Sequence, residues 1–302
     1  MVKSFRVLAL NTHFTFFYYE LNIKSVSTVY LLFNQRVCKV TIKLIDIYAG
    51  YRRGEFVLRG VNMEITGDTI ILGPNGSGKT TLMRTLLGVN VSKRGKIIID
   101  DVDMDSIRSS PGLLSGNLPE LFILSRIPVK HVAKFYLDLT GGDYDYFEEL
   151  ASRIGEKRVL SRSFHELSTG LRTIVLDALA LASNAKYVLL DEPFESLDPA
   201  RRVAMLSEIT RSKSTKIMST HTTWLLNSLG DWSVHLIVEG LVYGPLKPRE
   251  LLDLKISRKP VEDAVLRFKF RSGGEVYLSK TTGTPISSVD SLDKLYEVLM
   301  WQ

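Results

Sequence analysis

The stretch Ile70-Ile71-Leu72-Gly73-Pro74-Asn75-Gly76-Ser77-Gly78-Lys79-Thr80-Thr81-Leu82 decides the fold. Three β-favouring apolar residues enter a glycine-rich turn, and Lys-Thr-Thr then opens a helical pattern. Gly73, Gly78, Lys79 and Thr80 fit the spacing G-x-x-x-x-G-K-[ST] of a strand, a phosphate-cradling loop and a helix. Glycines let backbone N–H groups close around phosphates at a helix N-terminus, whose dipole already favours an anion. Lys79 adds a full positive charge, and the Thr80 hydroxyl can ligate Mg²⁺. Gly73, Pro74, Asn75, Gly76, Ser77, Gly78, Lys79, Thr80 and Thr81 therefore form the candidate loop for a nucleoside triphosphate. A glycine turn matching by accident would not also carry the strand before it and the helix after it.

Composition sets the frame. A chain of 302 residues has room for one large α/β domain plus a smaller element. Its 45% hydrophobic and 24% charged residues are ordinary for a water-soluble protein. A single cysteine, Cys38, excludes an intramolecular disulfide and fits a reducing compartment. The net charge of +6 is spread along the chain without a long basic run, so nucleic acid is not an expected partner. No window offers the uncharged apolar length of a membrane-spanning helix. Phe5 to Phe33 comes nearest and is interrupted by Arg6, His13, Glu20 and Lys24. It also lacks a signal peptide's compact apolar core. The expected place is the cytosol, with any membrane attachment made through a partner.

Residues 1–38 carry the aromatic cluster Phe14, Phe16, Phe17, Tyr18 and Tyr19 and an apolar run from Val26 to Phe33. Three readings stand side by side: a packing element, a partner-binding arm, or upstream sequence admitted by a wrong start. From Lys39 the pattern is regular. Val40, Ile42, Leu44 and Ile45 read as a strand, and residues 50–54 as a turn. Phe56–Leu58 and Val61–Ile65 read as two short antiparallel strands. Thr80–Leu87 is a helix closed by Gly88. Gly95–Asp100 is a strand rich in isoleucine. Residues 112–167 turn helical, with Val129–Leu139 and Tyr144–Ile154 separated by glycines, which predicts a helical subdomain inserted in an α/β core. Strand and helix alternation resumes through Leu171–Ala182, Tyr187–Leu190, Pro199–Arg211 and Lys216–Ser219, the pattern of a parallel sheet covered by helices.

Tyr187-Val188-Leu189-Leu190-Asp191-Glu192-Pro193 is an apolar run closed by two acids. In a buried parallel strand such a run is core, and its last residue emerges at the carboxyl end, where these sheets bind ligands. Beside a phosphate loop, Asp191 is placed for Mg²⁺ and Glu192 for orienting and deprotonating an attacking water.

Leu167-Ser168-Thr169-Gly170-Leu171, just before a helix and ahead of that acidic strand, resembles the Leu-Ser-Gly-Gly-Gln signature of ATP-binding cassette (ABC) ATPases. The resemblance runs in order over about residues 39–244. It implies a phosphate-loop ABC core, a mixed sheet with an antiparallel edge and a helical subdomain, over residues 39–247. It implies further that Tyr51, or Phe56, stacks on adenine, and that Ser196-Leu197-Asp198 is the loop after the catalytic Glu192. His221 resembles the switch histidine that senses the γ-phosphate, and Val238–Gly244 the closing hairpin. The cofactors implied are ATP and Mg²⁺. In this family two cassettes sandwich nucleotide head to tail, so Ser168 and Gly170 would complete the site of a second ATPase subunit. A separate transmembrane permease is the other implied partner, which would hold the protein on the inner face of the cell membrane.

Two departures mark this chain. Thr169 and Leu171 replace signature Gly and Gln. The family's Q-loop position falls on Glu120 in Asn117-Leu118-Pro119-Glu120, with Asn117 as runner-up; Glu120 can approach Mg²⁺ but brings a charge that Gln lacks. The signature context and the Leu-Pro-Glu form resemble export-type subunits. The alternatives are a soluble ABC protein of nucleic-acid or translation processes, which usually shows a coiled-coil insertion or two cassettes, and a module that binds ATP without hydrolysing it, against which Glu192 and His221 argue. Residues 248–302 predict a small β-β-α appendage. Leu266, Phe268 and Phe270 alternate with Arg267, Lys269 and Arg271 before a turn, and a helix from Asp290 buries Leu292, Leu295, Val298 and Leu299.

Overall fold

Strands apolar on both faces must be covered on both sides, and that requirement organises this chain. The computed structural model describes residues 5–10, 16–21, 41–52, 54–89, 92–107, 112–121, 126–270 and 273–293. They divide into two units, residues 1–39 and 40–302. The first holds an antiparallel pair, β1 (Phe5–Leu10) and β2 (Phe16–Leu21), with Phe5 opposite Leu21. The aromatic cluster expected near Phe14 thus supplies a strand from Phe16 onward, while the run Val26 to Phe33 lies outside the described residues.

In the second unit, β3 (Ile42–Gly50), β4 (Leu58–Ile65), β6 (Ser92–Ile99) and β7 (Val102–Asp103) form an antiparallel sheet of order β4-β3-β6-β7. The two strands expected at residues 56–65 are one, starting at Leu58. Between β4 and β6 run β5 (Thr69–Leu72) and helix α1 (Lys79–Leu86). After β7 come the one-turn α2 (Met104–Ile107) and β8 (Leu114–Gly116). Helices α3 (Val129–Thr140) and α4 (Tyr144–Leu150) follow, the latter prolonged by a π-turn over Ala151–Gly155. Helix α5 (Thr169–Ala182), β9 (Tyr187–Asp191), α6 (Pro199–Arg211) and β10 (Thr215–Thr220) complete the alternation. The hairpin β11 (Ser233–Val238) and β12 (Leu241–Leu246) closes the core.

The main sheet has the order β12-β11-β5-β10-β9-β8; β8, β9, β10, β5 and β11 are parallel and β12 is antiparallel. Because β8 pairs with β9, the helical excursion begins after residue 116, later than the expected 112: Leu114–Gly116 is core sheet. Successive side chains feed opposite cores. Ile70, Leu72, Val188, Leu190 and Met218 enter the core covered by α5, whereas Ile71, Tyr187, Leu189 and Ile217 enter the one shared with α1 and the antiparallel sheet. Each fully buried Ile or Leu of this kind contributes about 1.5–3 kcal/mol relative to exposure. Tyr187 pins the two sheets together, donating to Asp100 Oδ1 at 2.6 Å and accepting from the Thr41 N–H at 3.0 Å.

The C-terminal region opens with α7 (Pro248–Leu252). It then forms a sheet of order β14-β15-β13-β16 from β13 (Lys255–Ser257), β14 (Ala264–Lys269), β15 (Glu275–Ser279) and β16 (Thr284–Pro285). The expected hairpin is β14–β15, with Phe268 and Phe270 buried; β13 and β16 are additional and were too short to show a period. Arg267 and Lys269 of that basic face pair with Glu275. Of the helix expected from Asp290, residues 291–293 form a bridge and a turn, and Leu295, Val298 and Leu299 lie outside the described residues.

One buried group makes the fold acid-sensitive. His235 of β11 is 2% exposed, and burial pushes its imidazole down to about 4. Below the ordinary value of about 6.5 the unfolded chain takes up a proton that the folded chain refuses. The His235 contribution to stability should therefore fall as pH drops from about 6.5 to about 4, by on the order of 3 kcal/mol, and level off below. Denaturant titrations at pH 7 and pH 4 should show His235→Leu losing that much less than the wild type.

Candidate functional site

Parallel register brings three strand ends to one level. Thr220 stands beside Leu72, and Ser219 beside Asp191, so the loop after β5, the acids ending β9 and the residues ending β10 meet. The loop after β5 wraps the ammonium of Lys79, whose Nζ donates to the carbonyls of Gly73 at 2.8 Å and Pro74 at 3.1 Å. Gly78, at φ 111°, occupies the left-handed backbone that turns the loop into α1; a side chain there would be strained. Ser77 Oγ is buried with no partner, an orphan polar atom in the loop. Its neighbours Gly76 and Gly78 line a cavity of about 550 Å³, together with Tyr51, Asn75, Lys79, Thr80, Thr81, Asn117, Thr169, Arg172, Asp191 and Glu192, among others.

The two acids differ in setting. Burial pushes the Asp191 carboxyl up, opposed by hydrogen bonds from Ser219 and Thr80. Glu192 has φ +48°, a strained backbone for a residue with a side chain, of the kind that gathers at functional sites. That turn aims its carboxylate between the Lys79 ammonium and the His221 imidazole. Oε1 lies 3.1 Å from Lys79 Nζ, without the alignment of a hydrogen bond, and Oε2 lies 3.0 Å from His221 Nδ1. The hydrogen bond to Glu192 is the largest influence raising the His221 pKa, against desolvation. Lys79 and His221 thus flank the Glu192 carboxylate from either side. Ser219 carried no motif, yet its hydroxyl donates to Asp191 and accepts the Glu192 N–H at 3.2 Å. Its only sequence signal is its place two residues before His221.

The remaining expected residues are distributed as follows. Tyr51 is half exposed at the cavity edge, accepting from Thr81 Oγ1 at 3.1 Å, with the Arg84 guanidinium 5.1 Å from its ring centre. Phe56 lines an adjacent cavity of about 680 Å³ and packs edge-on against Tyr48. Glu120, expected to approach Mg²⁺, instead pairs with Arg84 and does not line the cavity that Asp191 lines. The residue of this stretch that reaches Asp191 is Asn117, which accepts the Asp191 N–H at 2.7 Å. Arg84 explains the difference: a guanidinium within reach captures a carboxylate. Ser168 caps α5 by accepting the Leu171 N–H at 3.4 Å, and Gly170 lets α5 close on the Ser196 carbonyl, where a Cβ would sit at 2.6 Å. Neither Ser168 nor Gly170 lines the phosphate-loop cavity of its own chain. Asp198 caps α6, accepting the Arg201 N–H at 3.0 Å.

Among the described residues no three His, Cys, Asp or Glu side chains cluster as a complete metal cage. A hydroxyl and a carboxylate, Thr80 and Asp191, do touch. That sparse oxygen set suits a Mg²⁺ ion that keeps waters and takes other ligands from substrate phosphates. No helix among the described residues is long and apolar enough to cross a membrane.

Comparison with known proteins agrees with this geometry. The ABC transporter family model matches residues 58–195. An ABC transporter ATP-binding protein of Pyrococcus abyssi (strain GE5 / Orsay) is 30% identical over 227 residues, covering 71% of this chain and 87% of that protein. The thiamine import ATP-binding protein ThiQ of Shigella flexneri serotype 5b (strain 8401) is 30% identical over 199 residues, 63% of this chain and 85% of the relative. A crystal structure of a cobalt transport ATP-binding protein superposes with a TM-score of 0.74 at 31% identity, covering 85% of this chain and 99% of that one. The phosphate loop, the acidic strand end and these likenesses over nearly whole relatives lead to one conclusion: this chain belongs to the ATP-binding proteins of ABC transporters, a family that hydrolyses ATP.

Proposed function

We propose that this chain is the ATP-hydrolysing subunit of a transporter whose channel is a separate membrane protein, and that residues 39–247 carry the chemistry while 248–302 are accessory. The observation that carries the reading is the meeting of Lys79, Asp191 and Glu192 at one cavity, with His221 held against Glu192 from behind it. In this reading the loop from Gly73 to Thr81 holds the phosphates, and Lys79 exchanges its Glu192 contact for phosphate oxygens. Tyr51 stacks on adenine. Thr80 and Asp191 would hold Mg²⁺, which when bound supplies charge neutralisation at the phosphates. Freed from Lys79, Glu192 orients water and accepts its proton, while His221 holds Glu192 in place. Donors fixed before the reaction meet the developing charge, usually the largest catalytic contribution.

Ser168 and Gly170 are assigned to the site of a second cassette on the resemblance of the signature, with the N-terminus of α5 suited to an anion; Thr169 and Arg172 of the same segment line the cavity of their own chain. Asp198 ends the loop that follows Glu192 and caps α6. The membrane partner is supported by an apolar surface on the helical subdomain: Ile127, Phe135 and Leu139 are 54%, 67% and 59% exposed, and the last two are one helical turn apart. That partner would hold the chain on the inner face of the membrane. The export expectation rested on Glu120 and the signature context. Glu120 is engaged by Arg84, and a relative named for thiamine import carries the same cassette, so direction is assigned to the membrane subunit rather than to this chain. A soluble role in nucleic-acid or translation processes is not favoured by these relatives.

Glu192→Gln should bind ATP like the wild type and hydrolyse it roughly 100-fold or more slowly. Lys79→Ala should lose nucleotide affinity; unchanged binding in a fluorescence titration would contradict the loop assignment. Mixing separates one-chain from two-chain sites. Lys79→Ala and Ser168→Arg should each be inactive alone. Combined, they should regain turnover, because one of the two sites then pairs an intact loop with an intact signature. No recovery on mixing would mean that each chain uses its own signature.

A further inference from the structure

The helix that starts at the signature buries an acid with no ion-pair partner. Asp177 lies in the apolar stretch Ile174–Ala182 of α5 and is 0% exposed. Its Oδ1 accepts from Asn117 Nδ2 at 2.6 Å, and its Oδ2 has no partner. Burial pushes the carboxyl well above the usual carboxylate range. A half-satisfied buried acid costs stability, and alanine is the better helix former at such a position. Asn117 spends its other capacity on β9: Nδ2 also donates to the Asp191 carbonyl at 3.1 Å, while Oδ1 accepts the Asp191 N–H at 2.7 Å. The amide therefore clamps both sides of the backbone unit bearing Asp191, and Asp177 decides which way round the amide sits.

We propose that Asp177 is a positioning residue for hydrolysis, acting through Asn117 to fix Asp191, and that it couples the signature helix to the acidic strand end. The proposal rests on the reading of Asp191 as facing the phosphates. The test is Asp177→Ala, Asp177→Asn and Asn117→Ala in the full chain, measured for turnover, the ATP concentration at half-maximal rate, and thermal unfolding. Asp177→Ala should unfold at the same or a higher temperature, keep the half-maximal ATP concentration, and turn over roughly tenfold more slowly, as for loss of an outer-shell partner. Asp177→Asn retains the accepting oxygen and should recover most of that rate. Asn117→Ala should match Asp177→Ala, and the double variant should be no slower. Wild-type turnover in Asp177→Ala, or a rate loss that merely follows lower stability, overturns the proposal. An active Asp191→Asn would instead remove the reading beneath it.

A different observation, at the opposite side of the phosphate loop, carries a second inference. The segment 289–293 is laid across the loop after β10: Thr223 N donates to the Asp290 carbonyl at 3.1 Å, and Leu292 N to the His221 carbonyl at 2.9 Å. Thr223 Oγ1 also donates to the Val289 carbonyl, and Thr222 bridges to Ser291. Val289 and Leu292 are buried, anchoring the segment. Its Asp293 then accepts from the phosphate loop itself, Oδ1 from Asn75 N at 2.6 Å and Oδ2 from Asn75 Nδ2 at 3.0 Å.

We infer that this segment is an autoinhibitory strap in which Asp293 stands as an internal anion on the phosphate loop. An amide satisfied by a carboxylate is not available to phosphate, and the carboxylate repels a triphosphate arriving beside it. Nucleotide binding must displace Asp293 and with it loosen the strap's hold on the His221 loop. In the full chain, Asp293→Ala and Asp293→Asn should bind ATP roughly tenfold more tightly than the wild type, with adenosine binding unchanged because it bears no phosphate. An unaltered ATP dissociation constant in Asp293→Ala, or equal gains for ATP and adenosine, overturns the strap. Loss of binding in Lys79→Ala alongside either result leaves the assignment of the loop itself standing.

Discussion

The parallel register of β5, β10 and β9 is the constraint on which the site depends. Each strand is a short apolar run buried on both faces, and its length is fixed by the two cores it must fill. Because Leu72 pairs with Thr220 and Ser219 with Asp191, the chain leaves the sheet at one level in three places. A slip of one residue would exchange the faces of β9, sending Tyr187 and Leu189 into the wrong core, so the level is held by hydrophobic burial rather than by polar contacts at the site. The polar groups inherit their positions from it.

Those groups balance one another. Lys79 has two loop carbonyls and the Glu192 carboxylate, Glu192 has Lys79 and His221, and Asp191 has Ser219, Thr80 and, through its backbone, Asn117. Each charge has an opposite charge or a donor in reach, which is what burial at this depth requires. A triphosphate brings several negative charges to the same place. In the proposed mechanism it takes over Lys79 and releases Glu192, which ties binding to the freeing of the proposed base.

The Asn117–Asp177 link and the Asp293 contact lie on opposite sides of this balance. One reaches the acidic strand end from the signature helix, and the other reaches the phosphate loop from the C-terminal region. Both run through backbone amides, at Asp191 and Asn75, so a substitution at either acid removes no group expected to touch nucleotide.

Much of this was legible in the chain. The phosphate loop, the acidic strand end and the signature are local patterns, because cradling a phosphate needs consecutive backbone amides and therefore consecutive residues. The sheet's apolar runs and the β11–β12 hairpin were equally local. What could not be read from the chain were pairings across distance. Glu120 looked free for Mg²⁺ because nothing in its neighbourhood announced Arg84, thirty-six residues upstream. Leu114–Gly116 looked like the edge of a helical insert because three residues carry no period, and only pairing with β9 made them a strand. Ser219, Asp177 and Asp293 bear no motif; they gained partners only when β10, α5 and the C-terminal turn were packed. The sequence by itself determined which groups could handle phosphate. Tertiary structure alone decided which carboxylate meets which cation, since a charge can settle that only after burial has set the distances.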